Sequence, residues 1–115
     1  MANPRPRDRR LRRRAEFDRV FRQGRHNSGP TLAVRSYPNE AGLTRFAYSI
    51  PKRVGTAVVR NRVRRRLREI VRSLPWREGF DVVIVARREA TLATFHSLML
   101  EMRLLSRRGR LLDAP

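Results

Sequence analysis

The chain has 115 residues and a formal net charge of +18, from 28 Lys and Arg against 10 Asp and Glu. Such self-repulsion opposes compaction unless a counter-charge is supplied, so the composition predicts a polyanionic partner, either nucleic acid or an anionic membrane surface. The absence of cysteine excludes disulfides and zinc–thiolate sites, and no apolar run reaches the roughly 18 residues that a membrane span needs, so we expect a cytoplasmic protein.

The first half of the chain predicts a helix and two strands. Apolar residues at helical spacing over Leu11–Gln23, followed by a glycine, predict the helix. Thr31–Tyr37 and Arg45–Ile50 have the composition of strands. Because Pro38–Gly42 between them has turn chemistry, these two strands are expected to form a hairpin.

The second half predicts a helix, a strand and a helix. Thr56 can cap a helix that runs to about Ser73, just before a proline. Phe80–Ala86 is nearly continuously apolar, as expected for a buried strand. Thr94 can cap a last helix that runs to about Arg107.

These elements predict one α/β (α+β) domain over residues 11–108, since no linker is long enough to divide the chain. Residues 1–10 are expected to form a flexible basic arm, because they combine two prolines with like charges. Residues 109–115 are expected to form a disordered tail.

The segment Lys52–Arg72 has the pattern of one helix with two contrasting faces. Its apolar stripe consists of Val59, Val63, Leu67, Ile70 and Leu74, and its opposite side carries Asn61, Arg64, Arg65, Arg68 and Arg72. Arginines four apart repel one another by a few tenths of a kcal/mol per pair. A helix face that is only solvated would usually mix Glu with Arg. The pattern therefore favours a face that binds phosphates, most simply those of a structured RNA.

The segment Arg60–Arg68 (RNRVRRRLR) resembles the RNR motif of the bacterial ribonuclease P protein subunit. Three further segments are similar to the same family. Leu11–Gly24 resembles its first helix, Ser49–Val59 (SIPKRVGTAVV) resembles its lead-in to the motif, and Phe80–Ala86 resembles its last strand. The resemblance covers roughly residues 11–107, in order and without large gaps.

The resemblance implies an α/β sandwich of order α-β-β(-β)-α-β-α, similar to a domain of ribosomal proteins. In it, the central helix joins two parallel strands by a left-handed crossover. The implied function is to assist a catalytic RNA, the ribonuclease P RNA, which removes the 5′ leader of precursor tRNA. The RNA and its bound Mg²⁺ would carry the chemistry, and the protein would be a subunit of the endoribonuclease without catalytic residues, monomeric when free.

The resemblance also implies two RNA-binding surfaces. A cleft between the first helix, the sheet and the central helix would bind the leader through Phe17, Phe21, Arg35, Lys52, Arg53, Arg60 and Asn61. An arginine face would bind the catalytic RNA through Arg62, Arg64, Arg65, Arg66 and Arg68. Spacing alone favours Phe17 and Phe21 as core residues. Arg35 replaces an aromatic residue common in the family and Pro51 replaces a serine, so individual leader contacts stay open.

Two other function classes fit the composition. A ribosomal or ribosome-assembly protein would also be small, basic and free of cysteine. A DNA-binding regulator would usually show a helix-turn-helix or a dimer seam, and neither is visible. The ten carboxylates are scattered and His26 and His96 lie in polar surroundings, so no catalytic residue and no metal ligand is predicted within the protein.

Overall fold

The computed structural model describes residues 9–113. The helices are α1 (Arg14–Gln23), α2 (Ala57–Ser73) and α3 (Phe95–Arg108), and the strands are β1 (Arg25–Ser28), β2 (Leu32–Pro38), β3 (Arg45–Ser49) and β4 (Phe80–Ala86). Short 3₁₀ turns cover Lys52–Val54 and Arg88–Thr91. Most of the predicted basic arm lies outside the described residues, and its last two residues are fixed rather than flexible, since Arg9 pairs with Glu78 at 2.7 Å and Arg10 forms a β-bridge with Phe46. Within the described residues, no helix is both long and apolar enough to cross a bilayer.

The four strands form one mixed sheet in the order β1-β2-β4-β3. β2 pairs antiparallel with β4, and β3 pairs parallel with β4. The predicted hairpin of β2 and β3 is therefore wrong. The apolar run of β4 needs cover on both faces and takes the central place, so the turn after β2 crosses over it. The parallel pair joined through α2 agrees with the implied crossover, whose handedness stays a prediction.

The strand β1 supplies the optional strand of the implied order α-β-β(-β)-α-β-α, although its own polar sequence, RHNS, gives no strand signal. It pairs antiparallel with β2, with Arg25 opposite Ser36 and Ser28 opposite Ala33. β1 lies at the edge of the sheet, and three of its four residues are exposed. An exposed edge strand needs no apolar alternation, which explains why the pattern gave no signal.

The helices cover both faces of the sheet. On one face, α2 and α3 pack over Val82 and Ile84 and form the larger core. On the other face, α1 packs over Val83 through Val20 and forms a smaller core. Because neighbouring strand residues point to opposite faces, the single strand β4 supplies both cores.

The predicted stripe and caps of α2 and α3 are confirmed in detail. Val63, Leu67 and Ile70 of the stripe are buried. The Thr56 hydroxyl accepts a hydrogen bond from the N–H of Val59 at 3.3 Å, and Thr94 caps α3 in the same way at 3.0 Å. These bonds satisfy backbone donors that a helix start leaves without a partner.

The pattern of Lys52–Arg72 predicts one helix, and the structure divides this segment into two elements. Lys52–Val54 forms a separate 3₁₀ turn, and Gly55 divides it from α2. A Cβ atom at Gly55 would lie 2.8 Å from a methyl carbon of Val59, so the chain approaches the helix too closely there for a side chain.

The predicted disordered tail is corrected over residues 109–113, which return to the core. Leu111 is buried, and its carbonyl accepts a hydrogen bond from the N–H of Arg77 at 2.8 Å. Leu112 forms a β-bridge with Trp76, and the N–H of Asp113 bonds to the carbonyl of Pro75. The charge of the surrounding arginines concealed this short apolar anchor in the sequence.

Candidate nucleic-acid interface

A cluster of two aromatic rings and a guanidinium lies where α1 meets the sheet. The ring centroids of Phe17 and Phe21 are 4.9 Å apart. The guanidinium carbon of Arg35, on β2, lies 4.5 Å from the centroid of Phe21. Both rings are partly buried against the smaller core, so they contribute to the core and also keep an accessible part.

Arg35 stacks on the cluster from the position where the family often has an aromatic residue. One of its Nη atoms donates a weak hydrogen bond of 3.4 Å to the carbonyl of Phe21, which fixes the plane of the guanidinium. A guanidinium plane can stack on a base much as an aromatic ring does. The substitution therefore keeps a flat stacking surface and adds a positive charge to it.

The sheet residues beside this cluster are small. The strand pairings place Arg35 in one row with Val83 and Ala47, on the face that α1 covers. The next row on the same face contains Val85 and Ser49. Ala47, Val85 and Ser49 are only partly buried. They lie beside the aromatic cluster, where they would be the floor of the leader-binding cleft that the resemblance implies.

An ionic cluster, which the sequence did not reveal, fixes α1 on the sheet. Arg45 of β3 contacts Glu16 of α1 at 2.8 Å and binds both carboxylate oxygens of Asp81 of β4, at 2.8 and 3.0 Å. These partners, Asp81 first, raise the pKa of Arg45 despite its burial. Because Glu16 directly precedes Phe17, the cluster also positions the aromatic ring. The three residues are 29 and 36 positions apart in sequence, so no local motif could indicate them.

The remaining predicted leader-binding residues lie apart from the aromatic cluster. Lys52 and Arg53 are exposed in the 3₁₀ turn that follows β3. Arg60 is partly buried and its Nε donates to the carbonyl of Gly55 at 3.2 Å, so it braces this turn. Asn61 is exposed on α2, which packs on the opposite face of the sheet from α1. The structure thus brings Phe17, Phe21 and Arg35 together, but not the other four with them.

The predicted arginine face is present along α2. Arg62, Arg65 and Arg68 are exposed. The other two arginines of the predicted face, Arg64 and Arg66, are partly buried and donate hydrogen bonds within the protein. Arg64 donates to the side chain of Asn61 at 3.0 Å, and Arg66 donates to the carbonyl of Ala93 at 3.4 Å.

A cavity of about 470 Å³ lies between this face and the outer edge of β3. Its lining consists of Arg10, Leu11, Phe46, Ala47, Tyr48, Arg64, Arg68 and Arg72. The guanidinium of Arg68 lies 5.9 Å from the centroid of the Tyr48 ring, and burial raises the pKa of Tyr48 to about 12. None of these lining residues is acidic. The predicted set therefore lacked the other three polar residues of this lining, Arg10, Tyr48 and Arg72.

The titratable groups of the described residues do not form a metal centre. Between residues 9 and 113, no three His, Asp or Glu side chains lie together as metal ligands would. His26 is on β1 next to Arg35 in the sheet, and its pKa is lowered by burial and by the charges of Arg35 and Arg87. A cationic environment of this kind suits an anionic ligand rather than a metal ion.

A cluster of aromatic and guanidinium groups on one face of a small mixed sheet, with an arginine-lined helix on the other, is typical of a basic RNA-binding protein. Residues 6–109 match the family model described as Ribonuclease P. The chain is 40% identical over 90 residues to a Caldanaerobacter subterraneus "Ribonuclease P protein component". The aligned residues cover 76% of this chain and 78% of that protein. A Roseiflexus protein of the same description is 43% identical over 83 residues, with 70% and 68% covered. The chain belongs to the ribonuclease P protein family, and it is thus a subunit of an endoribonuclease that processes tRNA.

Solved structures agree with this fold. The Thermotoga maritima ribonuclease P protein superimposes with a TM-score of 0.74 at 27% identity, covering 85% of this chain and 96% of that one. The Staphylococcus aureus protein gives a TM-score of 0.81 at 23% identity, with 91% and 98% covered. The predicted single α+β domain is confirmed. These matches do not favour a ribosomal protein, the alternative that the composition left open.

Proposed function

We propose that the two faces of the sheet serve two different RNAs. The cleft beside α1 binds the 5′ leader of precursor tRNA, and the arginine face of α2 binds the ribonuclease P RNA. The observation that carries this proposal is the stack of Phe17, Phe21 and Arg35 on the face opposite α2. Two separate surfaces let one small protein contact the catalytic RNA and its substrate together.

The cleft suits an unpaired leader of varied sequence. Aromatic and guanidinium planes stack on any base, with roughly 1–3 kcal/mol per base, and they require no particular hydrogen-bonding edge. The small floor residues Ala47 and Ser49 leave room for a strand beside the rings. Lys52 and Arg53, at the end of β3, can contact leader phosphates that continue beyond the cleft. Arg60 and Asn61, on α2, are the predicted leader contacts that lie closest to the second surface.

The arginine face suits a folded RNA whose phosphates approach from several directions. Arginine binds phosphate oxygens through two parallel N–H donors and stays charged at any physiological pH. Arg62, Arg65 and Arg68 are exposed for such contacts, and Arg64 and Arg66 present partly buried guanidinium groups beside them. Each phosphate neutralised releases counterions, so this binding weakens steeply as salt rises.

Chemistry at the scissile phosphate is assigned to the RNA and its bound Mg²⁺. The carboxylates and histidines of residues 9–113 do not form a set of ligands fit for this ion. The residues of the chain accordingly bind and orient RNA, and no step is assigned to a protein-bound metal. We expect the free protein to be monomeric and the assembled enzyme to act in the cytoplasm.

Reconstitution tests this function directly. The protein is mixed with a bacterial ribonuclease P RNA at low Mg²⁺, and cleavage of a precursor tRNA is followed. We expect faster cleavage at the mature 5′ end than with RNA alone, because the added cationic surface replaces part of the Mg²⁺ needed for charge neutralisation. No stimulation, with the protein folded and the RNA active at high Mg²⁺, would refute the proposal.

A further inference from the structure

A histidine continues the cluster of aromatic and guanidinium groups toward the β1 edge of the sheet. His26 of β1 lies directly opposite Arg35 of β2, so both side chains point to the face on which α1 packs. Neighbouring strands lie roughly 4.8 Å apart, which places the imidazole one strand beyond the guanidinium that stacks on Phe21. His26 is exposed, so a ligand that binds the cluster can also contact this ring.

A second arginine reaches the same part of the sheet from the end of β4. Arg87 directly follows β4, and one of its Nη atoms donates a hydrogen bond of 2.9 Å to the hydroxyl of Ser28. Because β2 lies between β4 and β1, the Arg87 side chain spans the width of β2 to make this bond. Ser28 follows His26 by two positions on β1, so the two side chains share one face of the sheet.

The charges that act on the imidazole are positive. Partial burial of the ring, and then the charges of Arg35 and Arg87, lower the pKa of His26. The last turn of α1 adds another arginine, Arg22. On the other face of the sheet, the carboxylate of Glu101 on α3 is bonded to the backbone where β2 begins. Positive groups on one side, with the nearest α3 carboxylate engaged on the other, favour an anion beside His26.

Both arginines keep hydrogen-bond donors for such an anion. Arg35 donates to the carbonyl of Phe21 and Arg87 donates to Ser28, and each guanidinium has five N–H donors. Over residues 9–113, neither arginine pairs with a carboxylate. A protonated imidazole adds two further N–H donors. Phosphate oxygens accept strong, charge-assisted hydrogen bonds from groups of this kind.

We propose that protonated His26, together with Arg35 and Arg87, binds a backbone phosphate of the leader, next to the base that stacks on Phe21. The inference rests on the proposed function for its RNA partner, and it adds a contact that depends on pH. The bound phosphate stabilises the imidazolium, so the pKa of His26 is higher in the complex than in the free protein. Binding therefore takes up a proton, and leader affinity falls as pH rises through the higher pKa of the complex.

Three variants isolate the charge of this histidine. His26→Gln removes the charge and keeps an exposed polar side chain, whereas His26→Lys keeps a positive charge at every pH of the assay. His96→Gln is the matched control, because the chain has two histidines and His96 is exposed on α3, which packs on the opposite face of the sheet.

The affinities of the reconstituted enzyme for precursor and mature tRNA are measured at constant salt from about pH 5.5 to about pH 8, where histidine titrates. The ratio of precursor to mature affinity should fall by roughly three- to tenfold over this range for the unsubstituted protein and for His96→Gln. For His26→Gln the ratio should be low at every pH, and for His26→Lys it should be high at every pH. A fall of the usual size in His26→Gln would overturn the inference.

Nuclear magnetic resonance of the two imidazoles gives an independent result on the full-length protein. Each ring is titrated with and without a short single-stranded RNA of leader sequence. The RNA should shift the titration of His26 to higher pH and leave that of His96 in place. Equal shifts of both rings would reflect only the general charge of the RNA, and no shift of His26 would mean that no phosphate binds there. Either result overturns the inference.

The binding assay also separates this inference from the proposed function. If affinity for mature tRNA has the same dependence on His26, the phosphate is not in the leader and the inference is overturned. If precursor and mature tRNA bind equally at every pH, the proposed leader contact itself fails. A preference for precursor tRNA that is independent of pH would leave the proposed function intact and overturn only the role of His26.

Discussion

Replacing Phe17 by alanine tests the aromatic cleft. The ring is one of three planes in the stack, 4.9 Å from Phe21, so its loss removes one stacking surface and leaves the Phe21–Arg35 pair in place. One base–aromatic contact contributes roughly 1–3 kcal/mol, and about 1.4 kcal/mol is a factor of ten in affinity. The affinity of the reconstituted enzyme for precursor tRNA should therefore fall by about 5- to 150-fold.

The assay compares equilibrium binding of precursor and mature tRNA to the same enzyme preparation. Mature tRNA has no leader, so its affinity should be unchanged by Phe17→Ala. Phe17→Tyr keeps the ring and should bind like the unsubstituted protein, while thermal unfolding shows whether the alanine variant is folded, since Phe17 also packs on the smaller core. Equal losses for precursor and mature tRNA would refute leader contact by this ring.

Three further predictions concern the arginine face, the ionic cluster and the buried tyrosine. Arg65→Ala should weaken binding to ribonuclease P RNA and lower its salt slope by about one, and an unchanged slope would mean that Arg65 is only solvated. Arg45→Met should lower the free energy of unfolding in urea by about 2–4 kcal/mol, because Asp81 is left buried without its charged partner, although it keeps the hydrogen bond from Asn39. Arg14→Met, which breaks an exposed pair at 3.9 Å, should change it by less than about 0.5 kcal/mol, and similar losses in both would contradict the assigned role of Arg45. The pKa of Tyr48 is raised from 10.0 to about 12, so the folded state retains a proton that the unfolded chain loses, and stability should fall as pH rises from 10 to 12. Urea unfolding across that range should show a smaller fall for Tyr48→Phe, and equal falls would contradict the burial of this phenol.

Local sequence patterns were sufficient to predict the buried face of α2 and the starts of α2 and α3. The stripe through Val63, Leu67 and Ile70 marked the buried face of α2, and Thr56 and Thr94 marked the helix starts, because each signal lies within a few residues. The RNR motif and its neighbours then indicated the family. Motifs of that kind supply a fold that periodicity alone leaves undetermined.

Contacts between residues that are distant in sequence could not be predicted from local patterns. The strand order depends on β4 lying between β2 and β3. The turn chemistry after Tyr37 instead predicted that β2 and β3 pair directly. Arg45, Asp81 and Glu16 meet only after the sheet and α1 are assembled. Leu111 returns to the core although Arg110 precedes it and Asp113 follows two positions later. In each case the decisive contact joins residues distant in sequence, so composition and spacing carried no signal for it.

Photo-crosslinking from the leader is the most direct test of the two-surface account. A precursor tRNA with photoreactive nucleotides in its 5′ leader is bound to the reconstituted enzyme, and the linked protein residues are identified by mass spectrometry. The account predicts links to Phe17, Phe21 or Arg35 on the face covered by α1. Links confined to the arginine face, Arg62–Arg68 on α2, would contradict it.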